Sequence, residues 1–91
     1  MIGMIMEKND IVTVVTVAGE FVGKYVTSGD GSITLGDPRM LVYGESGNMG
    51  FARGICMTGV ENPDEATFQS VVFVTPTNEE IVKAYRQATT G

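Results

Sequence analysis

The amino-acid sequence predicts a mainly β fold, in which five strongly bent strands form a small open barrel and one short helix follows at the C-terminus. Three observations support this prediction. β-branched residues fill several short runs, twelve glycines interrupt the chain, and a helical pattern of apolar residues occurs only at its end. A chain of 91 residues is expected to form one domain. We divide it into an N-terminal extension (1–9), the barrel (10–76), and the C-terminal helix with its tail (77–91).

The first two strands are predicted on either side of a tight turn at residues 18–20. Residues 11–17, IVTVVTV, are almost wholly β-branched and apolar on both faces, so we expect both faces of the first strand to be covered. The second strand is predicted at 21–28, FVGKYVTS. Gly23 lies in its middle, where a glycine is expected because a small barrel requires a sharp bend.

The third strand follows residues 29–31, Gly-Asp-Gly, which favour a hairpin turn because both residue types tolerate positive φ. Its first part is SITL, residues 32–35, and its second part is RMLVY, residues 39–43. Pro38 stands between the two parts and removes a backbone donor. We therefore expect a kink in this strand.

Two further strands are predicted beyond a turn-rich loop at 44–50. FARGICMTGV, residues 51–60, is predicted to form the fourth strand, and an acidic loop follows at 61–66. TFQSVVFV, residues 67–74, is predicted to form the fifth strand, and its last four residues are all apolar. Such a strand promotes aggregation at a free edge, so we expect a partner to cover it.

A short amphipathic helix is predicted at about 78–88. Thr77 and Glu80 have the spacing of a capping box. Apolar residues recur at helical intervals at Ile81, Ala84, Tyr85 and Ala88. Glutamates begin the helix and Lys83 and Arg86 lie further along it, which is the order that the helix dipole favours.

The composition excludes several classes of active site. The chain has no histidine, which removes most zinc sites and every Ser-His or Cys-His catalytic arrangement. Cys56 is the single cysteine, so no intrachain disulfide can form and a reducing compartment fits best. The acidic residues fall largely in predicted turns and helix ends rather than in a cleft. We therefore expect no enzymatic activity, no metal and no cofactor.

The net charge of −5, from 11 acidic and 6 basic residues, disfavours nucleic acid as a partner without deciding the question. A ring can concentrate a few identical basic groups around one axis. The apolar opening MIGMIM, residues 1–6, is too short to span a membrane and lacks the basic region of a signal peptide. We therefore expect a cytoplasmic protein that makes no contact with a membrane.

The stretch VTVAGEFVGKYVTSGD, residues 15–30, and the strand after it resemble the first motif of the Sm-like proteins, which fold as small open barrels of the SH3-like type and close into rings. The residues that occupy similar places are Gly19, Gly23, Asp30 and Leu35. Arg53 and Gly54 resemble the Arg-Gly pair of the second motif. The interval between the first two glycines is one residue short, no aromatic follows Asp30, and the helix comes last rather than first. The resemblance covers about residues 10–76, and the whole chain is most similar to marine, cyanophage-derived Sm-like proteins.

The resemblance implies a homo-oligomeric ring of about five to seven subunits in the cytoplasm of a bacterial or phage-infected cell. In rings of this family the fourth strand of one subunit pairs with the fifth strand of the next. The residues expected at this interface are Val71, Val72, Phe73, Val74, Phe51 and Ile55.

The resemblance also implies that the ring binds single-stranded nucleic acid, RNA rather than DNA, with a role in RNA or DNA processing. The residues expected to bind it are Lys24, Tyr25, Asp30, Thr34, Arg39 and Arg53. The three basic residues would neutralise phosphates, Asp30 and Thr34 would form hydrogen bonds with bases, and Tyr25, Tyr43 or Phe51 could stack on them.

Two alternatives remain open at this point. A structural or adaptor ring of a phage would use the same barrel for protein contacts alone, and the acidic charge favours it. A monomeric SH3-like module that binds peptides is the third interpretation, and it predicts the mass of a single subunit.

Overall fold

The structure, a computed structural model, describes residues 6–52, 54–56 and 58–90 of the chain. These residues form one antiparallel sheet and one helix. The elements are β1 (Ile11–Thr16), β2 (Gly19–Gly29), β3 (Ser32–Tyr43), β4 (Met49–Phe51), β5 (Glu65–Gln69), β6 (Phe73–Pro76) and α1 (Glu79–Thr90). The predicted fold class is confirmed, because the chain is mainly β, bent and open, with its short helix at the C-terminus.

The sheet has the strand order β4-β3-β2-β1-β6, and β5 also pairs with β3. The long β3 carries two different partners on one edge. Its first residues, 32–36, pair with β5, and its last residues, 41–43, pair with β4. The sheet therefore bends within β3, near the predicted kink at Pro38, and it remains open between its outer strands.

A glycine in the middle of β2 makes the tightest part of this bend. The register between β2 and β3 shifts on both sides of Lys24, as it does at a β-bulge. A Cβ atom added at Gly23 would lie 2.9 Å from Cβ of Leu35 and 3.0 Å from the carbonyl oxygen of Gly36. The two strands can approach this closely only because Gly23 has no side chain.

The core lies on the inner face of the sheet. It contains Val12 and Val14 of β1 with Ile33 and Leu35 of β3, each at most 3% exposed. Thr13 points to the opposite face of β1 and is also buried, with its hydroxyl 2.8 Å from the hydroxyl of Thr77. Both faces of the first strand are covered, as the sequence predicted.

Helix α1 is anchored on the outer face of the sheet by Tyr85. This residue is fully buried, and its hydroxyl donates a hydrogen bond of 2.7 Å to the carbonyl oxygen of Asp37. Its ring lies edge-on to Phe51, with centroids 6.1 Å apart. Tyr85 thereby links the helix both to the kink of β3 and to the end of β4.

The cap of α1 differs by one residue from the predicted capping box. Oδ1 of Asn78 accepts a hydrogen bond of 3.0 Å from the backbone N–H of Ile81, so Asn78 is the N-cap. The hydroxyl of Thr77 is engaged with Thr13 instead. A contact with β1 therefore replaces the local cap that the sequence suggested.

The prediction of the last two strands was wrong in its details. Of the residues 51–60, predicted to form the fourth strand, only Phe51 lies in a strand among the described residues. The predicted fifth strand, 67–74, breaks at Ser70, whose φ of +55° lies in the left-handed region. Residues 67–69 form the end of β5 and residues 73–74 form the start of β6, and these two strands pair with different neighbours in the sheet. The sheet consequently has six strands instead of five.

Candidate functional site

Two of the basic residues line the same cleft, which lies between β2 and the end of α1. The cleft has a volume of about 350 Å³. Its described lining residues are Asn9, Ile11, Lys24, Arg86, Thr89 and Thr90. Lys24 and Arg86 are exposed, and neither has an ion-pair partner within the described chain. The cleft therefore presents two positive charges that form no ion pair with any described residue.

Arg39, in contrast, is already paired. Its Nη2 lies 3.1 Å from Oδ1 of Asp37, and its Nε donates to the same oxygen over 3.1 Å. The side chain of Arg39 is only 18% exposed. A phosphate would have to compete with Asp37 for this guanidinium, so Arg39 is a weaker candidate for nucleic-acid contact than Lys24.

The remaining predicted binding residues do not converge on one surface. The ring of Tyr25 packs against the inner core and its hydroxyl bonds to that of Ser28 over 2.8 Å. Thr34 lies between the buried Ile33 and Leu35, so it points to the outer face, where its hydroxyl bonds to Thr67 over 2.8 Å. Asp30 is exposed in the turn between β2 and β3. Arg53 lies outside the described residues.

The other two aromatic residues considered for base stacking occupy different environments. Tyr43, at the end of β3, is 73% exposed. Phe51 is partly buried and contacts the ring of Tyr85. Tyr43 therefore has a free ring face, whereas Phe51 helps to hold the helix.

The residues predicted at a subunit interface divide into exposed and packed groups. Val72 and Phe73 are 59% and 54% exposed. Val71 and Val74 pack against the inner core instead. Ile55 is partly buried and lies in the irregular segment after β4. Of these predicted interface residues, the exposed ones therefore lie where the chain enters β6.

The outer edge of β5 has unpaired main-chain groups. The N–H of Asp37 donates to the carbonyl of Asp64 over 2.7 Å, which makes this pair a hydrogen-bonded one. Hydrogen-bonded pairs alternate along an antiparallel ladder, so Glu65, Thr67 and Gln69 direct their N–H and C=O groups away from β3. No hydrogen bond in the described chain uses these outward groups.

The outer edge of β6 is shorter and partly blocked. The N–H of Thr77 donates to the carbonyl of Ile11 over 3.3 Å, so by the same alternation Val74 directs its N–H and C=O away from β1. Pro76 occupies the next outward position and has no N–H. A partner strand could therefore form one complete pair of hydrogen bonds here, at Val74.

The strongest pKa perturbation in the described chain occurs at Tyr85. Burial raises its pKa, the carboxylate of Asp37 adds to this effect and the charge of Arg39 opposes it, so that the pKa of Tyr85 is about 12. This tyrosine holds the helix and lies in no cleft, so its pKa has a structural cause. The described residues contain no group of three or more potential metal ligands. Within the same residues, no helix is long and apolar enough to cross a membrane.

Arg86 is the cleft residue that the sequence did not identify. Its position along the helix suggested only a favourable interaction with the helix dipole. The packing of α1 across the sheet brings Arg86 beside Lys24, and no local sequence pattern signals such a contact between distant segments.

No protein-family model matches the chain, and no curated protein matches it. Membership of the Sm-like family therefore stays a prediction from the short motifs around Gly19, Gly23, Asp30 and Arg53.

Proposed function

We propose that the chain is a non-enzymatic subunit of a homo-oligomeric, Sm-like ring, in which the edge of β5 pairs with the edge of β6 in the next subunit. The observation that carries this proposal is the exposed apolar entry into β6, at Val72 and Phe73, beside an unpaired strand edge. An exposed edge of this composition favours pairing with another strand. Pairing between copies would cover both the apolar side chains and the unpaired main-chain groups.

The two edges differ in character, so their pairing would be heterologous. The edge of β5 carries the exposed polar side chains of Glu65, Thr67 and Gln69, whereas the edge of β6 begins with apolar ones. A heterologous contact generates a closed ring when the rotation between subunits closes. This pairing replaces the one expected from the sequence, because 52–60 contribute no strand among the described residues.

The solution mass tests this proposal. Light scattering is expected to give the native protein a mass several times that of the 9.7 kDa subunit. Phe73→Asp places a charge on the proposed contact and should give a monomer. Tyr43→Asp is the matched control, because Tyr43 is 73% exposed at the end of β3, where it pairs with Met49 of β4 rather than with β5 or β6. It should leave the mass unchanged.

The β5 side of the contact has its own variant. Thr67→Pro removes an N–H that points away from β3, so it should weaken assembly while preserving the sheet, which circular dichroism can verify. A native protein of one-subunit mass at every concentration would contradict the ring and favour the monomeric peptide-binding module. Assembly that survives both Phe73→Asp and Thr67→Pro would place the contact elsewhere.

A second candidate function is the binding of single-stranded nucleic acid by this ring, with RNA preferred to DNA. The observation that favours it is the pair of unneutralised cations, Lys24 and Arg86, in one cleft. Fluorescence anisotropy with labelled oligouridine and oligothymidine would test it. Binding should weaken steeply with salt, because phosphate contacts release counterions. An absence of binding at low salt would refute this candidate and leave a ring that makes protein contacts alone.

A further inference from the structure

We propose that the cleft lined by Lys24 and Arg86 is a binding site for a phosphate group. A phosphodiester is one source of that group, so this site deepens the nucleic-acid candidate above. The cleft lies within a single subunit, so it does not depend on the ring. Its volume of about 350 Å³ can accommodate a phosphate group with its neighbouring atoms.

The distribution of charge is the first argument for this site. The chain has almost twice as many acidic as basic residues, yet no carboxylate is among the described residues that line the cleft. Elsewhere Arg39 shows how this protein neutralises a cation, with Asp37 only 3.1 Å away. Lys24 and Arg86 have no such partner in the described chain, so they remain available to an anion.

The geometry of the two cations is the second argument. Lys24 extends from β2 beside the bend at Gly23, and Arg86 extends from the penultimate turn of α1. Their backbones belong to two elements that pack together, so the cations face a ligand from two sides. An ammonium group acts as a point charge and a guanidinium group offers a planar fork of donors, and both suit phosphate oxygens.

Among the described residues, two negative features lie near the cleft, and neither outweighs the cations. The C-terminal end of α1 carries about half a negative charge, but the hydroxyls of Thr89 and Thr90 donate to the carbonyl oxygens of Tyr85 and Arg86. Asp10 lines the adjoining cavity together with Arg86. Its Oδ2 already accepts the N–H of Glu7 over 2.9 Å. Two full positive charges therefore exceed the nearby negative charge.

The first test is a titration of the full-length protein with inorganic phosphate, followed by NMR. The amide signals of Lys24, Arg86, Thr89 and Thr90 should shift and saturate. Loss of either cation, in Lys24→Gln or Arg86→Gln, should weaken binding about fivefold, which is the upper range for an exposed ion pair. Lys83→Gln is the matched control, because Lys83 is exposed on the same helix and does not line the cleft.

Two results would overturn the site. One is the absence of saturable shifts, and the other is equal phosphate binding by the native protein and a folded Lys24→Gln/Arg86→Gln double variant. Asp10→Asn should instead strengthen phosphate binding, because it removes the competing charge and keeps the oxygen that accepts the N–H of Glu7. Weaker binding by this variant would also contradict the electrostatic argument.

A labelled oligonucleotide then identifies the source of the phosphate group. If the group belongs to a single-stranded nucleic acid, the double variant should bind the oligonucleotide less well and with a shallower salt dependence, by about 0.7 in the slope for each lost phosphate contact. Saturable binding of inorganic phosphate without oligonucleotide binding would support the site and assign it to a free phosphate group. That outcome would refute the nucleic-acid candidate alone, so the two failures are distinguishable.

Discussion

Replacing Tyr85 by phenylalanine would measure how firmly the helix is held on the sheet, because the substitution removes only a hydroxyl group. Tyr85 is fully buried, and its hydroxyl donates to the carbonyl of Asp37 over 2.7 Å. A hydrogen bond of this kind stabilises a fold by about 1 kcal/mol. We therefore expect Tyr85→Phe to lower the free energy of unfolding by about 1 kcal/mol at neutral pH, as measured by urea unfolding.

The difference in stability between the native protein and Tyr85→Phe should depend on pH. The pKa of Tyr85 is raised from 10.0 to about 12, chiefly by burial and then by the carboxylate of Asp37. The folded pKa lies above the unfolded one, so the associated stability is complete below pH 10.0 and is lost as the pH rises towards about 12. The loss is about 2 to 3 kcal/mol in total and about 1.4 kcal/mol at about pH 11.

The phenylalanine variant has no phenol to ionise and escapes this loss. The native protein and Tyr85→Phe should therefore have similar free energies of unfolding near about pH 11, and the variant should be the more stable one above that pH. Tyr43→Phe is the control for the loss of a tyrosine hydroxyl group, because Tyr43 is 73% exposed. A constant difference between the native protein and Tyr85→Phe across the alkaline range would refute the reasoning.

Three further substitutions test the packing and the cap. Gly23→Ala should destabilise the protein by about 1 to 3 kcal/mol, since the new Cβ would lie 2.9 Å from Cβ of Leu35. Gly50→Ala, whose new Cβ would lie in open space, should change stability by under about 0.5 kcal/mol. Equal thermal shifts of the two variants would contradict the close approach of β2 to β3. Leu35→Ala should cost about 3 kcal/mol or more in urea unfolding, because this side chain is fully buried, and a loss below about 1 kcal/mol would show a core that collapses around the gap. Asn78→Ala should lower the free energy of unfolding by about 1 kcal/mol and reduce the helical signal in circular dichroism. Replacing the exposed Gln87 by alanine should do neither. An unchanged melting temperature for Asn78→Ala would mean that the cap is dispensable.

The first three strands could be predicted because their signals are local. A β-branched run, a glycine at the bend and a Gly-Asp-Gly turn each act within a few residues, and they correctly placed β1, β2 and β3. The kink near Pro38 was also predictable from the ring geometry of proline. The helix was predictable from its apolar spacing. Its N-cap is Asn78 rather than Thr77, because the hydroxyl of Thr77 bonds to that of the distant Thr13.

The split of the fifth predicted strand could not be seen in the sequence. Residues 67–74 have the composition of a β-strand throughout, and the break occurs because Ser70 adopts a positive φ that its residue type does not predict. The cleft of Lys24 and Arg86 escaped prediction for a related reason. It forms only when α1 crosses the sheet, and the direction of that crossing depends on the burial of Tyr85 rather than on any spacing around the two cations.

Two main-chain contacts of Asp37 affect how the chain reaches its fold. The N–H of Asp37 bonds to the carbonyl of Asp64 and its carbonyl oxygen accepts from Tyr85, so the two peptide groups of one residue contact two segments far along the chain. During synthesis on the ribosome, β1, β2 and β3 emerge long before either contact can form. The kink must remain hydrated until residue 85 arrives, and contacts of such long sequence separation slow folding. We expect completion of the barrel to be a late event, set by the arrival of the helix rather than by the pairing of the early strands.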